Sequence, residues 1–132
     1  MATVAKSGTP SISTTVPCPA HSITGLLAGE SIAAGDPCYI KAADGKVWRS
    51  IGTTADAAAK TDGWCLQAAV AGDAVSLYFD VNLRYGAAMT PGDLLYVSLT
   101  AGTLQNATSA GGTVPIAKVI DATRIRVWST RA

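Results

Sequence analysis

Gly35-Asp36-Pro37-Cys38-Tyr39-Ile40 and Gly92-Asp93-Leu94-Leu95-Tyr96-Val97 are two versions of one pattern, separated by an offset of 57. Each opens on glycine and aspartate, which turn the chain, and runs into a short apolar and aromatic stretch suited to a strand. The same offset carries Gly45 onto Gly102 and Val47 onto Leu104. Farther along, an offset of 50 aligns Trp64-Cys65-Leu66-Gln67-Ala68-Ala69-Val70 with Val114-Pro115-Ile116-Ala117-Lys118-Val119-Ile120. Ala74-Val75-Ser76-Leu77-Tyr78 then parallels Arg124-Ile125-Arg126-Val127-Trp128. Each half, approximately 28–80 and 87–132, reads as a turn, a strand, a hairpin, a loop and two strands across a tight turn. A half of roughly 50 residues cannot easily bury both faces of its own sheet. The pattern therefore predicts an all-β fold, a compact barrel or sandwich built from two pseudo-symmetric halves.

Working outward, turn signals recur at Ala28-Gly29, Asp44-Gly45, Asp62-Gly63, Gly72-Asp73, Ala101-Gly102 and Gly111-Gly112. Asp44-Gly45, between Tyr39-Ile40 and Val47-Trp48, is the clearest hairpin signal. Arg124-Ile125-Arg126-Val127 alternates polar and apolar residues and reads as a half-exposed strand. Helix is limited to one or two turns within 54–60, around Asp56-Ala57-Ala58-Ala59-Lys60. The β-rich domain is expected to span 21–132.

Residues 1–20 differ in composition. They contain no acidic side chain and one base, Lys6, among Ser, Thr and Pro. Proline disfavours helix here, so this segment is predicted to be an extended arm, mobile by itself and ordered on a partner. Within it, Ser11-Ile12-Ser13-Thr14-Thr15-Val16 is suited to join a sheet edge.

The 132 residues are 48% hydrophobic and 14% charged, with 10 basic and 9 acidic side chains and a net charge of +1. So neutral a balance argues against a nucleic-acid partner or a polybasic membrane surface, and few charges leave a lone chain weakly protected against association. No apolar run is long enough for a signal peptide's core or a membrane helix. One histidine, His21, and no G-x-S-x-G turn leave catalysis without a constellation, so no enzyme and no cofactor are expected. Cys18, Cys38 and Cys65 read as reduced, mostly buried thiols. A zinc site from Cys18 and His21 with Cys38 and Cys65 is the sharper alternative, but the second pair lacks a local knuckle, so no metal is expected. For contact with another protein, Arg84-Tyr85 with Arg124, Arg126 and Arg131, and Trp48 beside Arg49, are the candidates.

With arm, turns and repeat in view, the sequence resembles the tailed-bacteriophage capsid decoration, or head cement, proteins. The resemblance rests on Ala28-Gly29-Glu30-Ser31-Ile32-Ala33-Ala34-Gly35-Asp36 with Tyr39-Ile40, on Asp62-Gly63-Trp64, and on Gly72-Asp73-Ala74-Val75-Ser76-Leu77-Tyr78. It continues in Thr90-Pro91-Gly92-Asp93-Leu94-Leu95-Tyr96-Val97 and Ile120-Asp121-Ala122-Thr123-Arg124-Ile125-Arg126-Val127. It implies a structural protein on the outer capsid surface of the virion, made in the host bacterial cytoplasm. Its partners would be the major capsid protein, reached by the arm, and copies of itself, most often as a trimer. The alternative is a particle-displayed module binding a ligand or a host surface through an exposed Trp48 or Tyr85.

Overall fold

The computed structural model describes residues 2–12 and 21–129, and is all-β apart from single helical turns. The strands are β1 (Thr3–Val4), β2 (Ser11–Ile12), β3 (Ser22–Leu27), β4 (Asp36–Ile40), β5 (Val47–Arg49) and β6 (Gly63–Cys65). They continue with β7 (Ala74–Tyr78), β8 (Val81–Arg84), β9 (Leu94–Val97), β10 (Leu104–Gln105), β11 (Ala117–Val119) and β12 (Arg124–Val127). All named strand pairings are antiparallel. Sheet I runs β3-β7-β6-β4-β5, and sheet II runs β1-β10-β9-β11-β12-β8-β2. Stripped of β1 and β2, sheet II has the strand order of sheet I, with β8, β12, β11, β9 and β10 in the places of β3, β7, β6, β4 and β5.

The registers match as well. Ile40 pairs with Val47 as Val97 pairs with Leu104. The N–H of Gly35 donates to the Cys65 carbonyl at 2.6 Å, as that of Gly92 donates to the Val119 carbonyl at 2.9 Å. Cys65 opposite Leu77 corresponds to Val119 opposite Ile125, and Ile23 opposite Leu77 to Leu83 opposite Ile125. These pairings set the offsets of β6 and β7 at 54 and 48, where the sequence suggested 50. Both slips are by an even number of residues, which leaves the inside–outside alternation unchanged and so escapes a pattern of period two. The equivalence also reaches back to β3 and β8, outside the 28–80 and 87–132 bounds.

The Asp44-Gly45 hairpin forms as expected, with Gly45 at φ +69° and Lys41 N–H bonded to the Lys46 carbonyl at 2.9 Å. The short helix is a single 3-10 turn, Ala57–Ala59, whose N-cap Asp56 accepts from the Ala58 N–H.

Alternation along the strands decides how the sheets stack. Cys38, Val47, Cys65, Val75 and Leu77 point to one face of sheet I, into a small core closed by Ala28, Ile32 and Ala69. Ile32 and Ala69 are themselves bridged, so the loops 28–34 and 66–73 cap this face. Trp64, the neighbour of Cys65, points the other way, into the core made by Leu83, Leu95, Val97, Leu104, Val119 and Ile125 of sheet II. There it meets Tyr85 edge-on, with ring centroids 6.5 Å apart. Sheet I is thus buried on both sides at β6, whereas β11 alternates buried, exposed, buried. The order of layers is loop cap, sheet I, shared core, sheet II, solvent.

The described part of the N-terminal arm is extended, and it lies on its own domain. β1 pairs with β10 and β2 with β8, so the two short strands occupy both edges of sheet II. Between them, Lys6 Nζ reaches the buried Asp36 carboxylate at 2.5 Å, and the Ser7 N–H donates to the Tyr85 carbonyl at 2.6 Å. Buried Pro10 packs on Gly35. The expectation of an arm that orders only on a partner is therefore corrected for residues 2–12. Both sheet edges needed strands, and the chain itself supplies them.

Candidate functional site

The sequence-nominated residues have different fates. Tyr85 is 1% exposed, within the core of sheet II, and burial pushes its phenol far above the usual range. Its nomination as an interface residue is corrected: it sits between Arg84 and Gly86 on a strand end whose alternation turns it inward. Trp48 is half-buried, its indole N–H bonded to the Asp44 carboxylate at 3.2 Å and its ring 4.3 Å from the Lys41 ammonium. Its indole edge at Nε1 and Cε2 also lies against Gly29, where even a methyl group would collide with it. Arg49 is half-buried and engaged by Glu30, whose two oxygens accept from its guanidinium at 3.2 Å and its backbone N–H at 2.9 Å. Neither is a free contact residue.

Ser11 and Arg84 remain exposed, and they are neighbours, opposite one another across β2 and β8. Ser13, Thr14, Thr15 and Val16 lie outside the described residues, as do Cys18 and Arg131.

Arg84 belongs to a larger arrangement: the solvent face of sheet II. Strand register lays its side chains in two rows. One row reads Ser11, Arg84, Arg124; the next reads Asn82, Arg126, Lys118, Leu94. Exposed Ile120 continues the first row beyond Arg124, to which its N–H is bonded at 3.0 Å. Arg124 is held by Asp121, Nε to Oδ2 at 2.8 Å. That contact and the N–H groups of Thr123 and Arg124 lower the Asp121 carboxyl to about 2. Arg84, Lys118 and Arg126 are exposed and meet no carboxylate among the described residues. Arg126 reaches the Asn82 amide oxygen, at 3.4 Å.

The matching positions of sheet I identify what is unusual here. By register, Lys118 stands where Trp64 stands and Arg126 where Tyr78 stands. At these two positions sheet I is apolar and packed against the other half, whereas sheet II is cationic and exposed. Sequence reading found Arg84, Arg124 and Arg126 but missed Lys118, because the 50-residue offset paired Trp64 with Val114.

Among the described residues, no three His, Cys, Asp or Glu side chains converge as metal ligands do. Cys38 and Cys65 are buried, free thiols facing the small core. Burial raises both thiols, Cys38 furthest, with Cys65 and Asp36 nearby adding to its rise. His21 stacks obliquely near Phe79 at 6.4 Å. No known protein-family model matches the chain, and no curated protein matches it.

Proposed function

We propose that this chain is a structural virion protein that binds the outside of an assembled tailed-phage capsid and holds neighbouring capsid subunits together. The observation that carries the reading is the exposed, charged face of sheet II, whose Lys118 stands where sheet I has the buried Trp64. Such a face serves adhesion: it is broad, preformed on strands and flanked by exposed Leu94 and Ile120. The resemblance in turn order and repeat points the same way, toward the major capsid protein as partner and a trimer as the assembly. Bridging subunits adds binding free energy that must be lost before they part, and repetition over a shell accumulates modest affinities.

The display alternative asked for an exposed Trp48 or Tyr85. Tyr85 is core and Trp48 is half-covered, so the structural reading is preferred. The test is to mix purified protein with expanded, DNA-free heads of the phage that encodes it, then sediment them and heat them. Co-sedimentation at a fixed ratio with a raised head melting temperature is expected. Heads that neither retain the protein nor gain thermal resistance would refute the capsid assignment.

A further inference from the structure

We propose that the solvent face of sheet II is the docking surface itself, and that what it receives is an acidic protein surface whose carboxylates pair with Arg84, Lys118 and Arg126. The inference deepens the binding reading above and rests on it.

The register supplies the reason. Arg84 lies directly opposite Arg124, and Lys118 directly opposite Arg126, on adjacent strands. Strands are about 4.8 Å apart, and like charges directly opposite destabilise a sheet. One such repulsion on an exposed face is tolerable; here there are two, side by side, and among the described residues only Arg124 of these four has an acidic partner. The chain has 10 basic residues in all, and four of them stand on this face. A sheet selected for its own stability would alternate signs here. Local rules are broken where a site must suit something else, and a partner's carboxylates would relieve both repulsions at once.

The flanking residues favour protein over nucleic acid. Leu94 ends one row and Ile120 the other, both exposed, giving an apolar margin that a phosphate backbone would not use. Three cations that meet no carboxylate among the described residues, on a chain of net charge +1, form a compact patch rather than a track along a duplex.

The test uses the full-length chain and four substitutions: Lys118→Glu, Arg126→Glu, Arg84→Glu and Arg84→Thr. The probes are immobilised poly-L-glutamate, a random-sequence DNA duplex and vesicles containing an anionic phospholipid. Salt-sensitive binding to polyglutamate is expected, about tenfold weaker in each charge reversal, with little retention on DNA or vesicles. Lys118→Glu places opposite charges across β11 and β12, so its melting temperature is expected to hold or rise while its binding falls. Loss of binding in a folded variant separates docking from structure, and Arg84→Thr gives the same reading if a reversal fails to fold. Unchanged polyglutamate binding in the folded variants would overturn the proposal, as would equal, equally sensitive binding to DNA or vesicles. Retained polyglutamate binding without binding to heads would overturn the capsid assignment and leave this face standing.

Discussion

Gly35 and Gly92 occupy the same place in the two halves, both with φ near +90°, yet their surroundings differ. A methyl group on Gly92 would meet nothing within 4 Å, while one on Gly35 would sit 2.5 Å from Pro10 Cγ. Gly92→Ala should therefore cost only the left-handed backbone penalty, about 1 kcal/mol. Gly35→Ala carries the same penalty and in addition pushes the arm off its seat, for about 2–3 kcal/mol. Urea unfolding of both variants checks the difference, and equal costs would mean that Pro10 contributes nothing. The neighbouring aspartates diverge in the same way. Asp36 is 3% exposed and bonded to Lys6 and to the Ala33 N–H, whereas Asp93 is only half-buried. One turn motif, used twice, anchors the arm in only one of its copies.

At the scale of elements, β1 and β2 act as edge guards. Each pairs two residues only, but together they cover β10 and β8, whose outer backbone groups would otherwise face solvent. Removing residues 1–12 should lower the thermal midpoint and promote self-association, read by light scattering during a temperature ramp. A truncated chain as stable as the full one, and scattering no more light, would show these pairings to be idle. Much of this level was legible in the sequence. The Gly-Asp turns, the Asp44-Gly45 hairpin and the repeated series of turns and strands along the chain all follow from local turn chemistry and alternation. The sliding of β6 and β7 against their counterparts was not, because an even slip preserves the pattern. Nor was the arm's berth, which depends on Lys6 meeting Asp36 across thirty residues of chain. Of the binding face, Arg84, Arg124 and Arg126 were visible as cations; that they share one face with Lys118 emerges only from register. Tyr85 failed as a surface residue for a related reason, since neighbours in sequence point to opposite sides of a strand.

At the scale of the whole molecule, Trp64 ties the halves together, belonging to sheet I by its strand and to the core of sheet II by its ring. Trp64→Ala should cost about 3–5 kcal/mol, the range for an aromatic removed from a packed core. In the native chain both halves should unfold in one transition, with circular dichroism and tryptophan fluorescence tracing a single curve. Two separated transitions would show the shared core to be weaker than its burial suggests. The layered order also gives the molecule a front and a back. If the cationic face lies against a shell, the loops 66–73 look outward from every copy, and Gly72 there has nothing within 4 Å of its missing side chain. A peptide spliced after Gly72 should be readable by antibody on decorated particles, while one spliced after Ala122, on the β11–β12 turn that carries Asp121, should weaken attachment. The fold thereby becomes an addressable scaffold: one side for gripping, the other for carrying cargo.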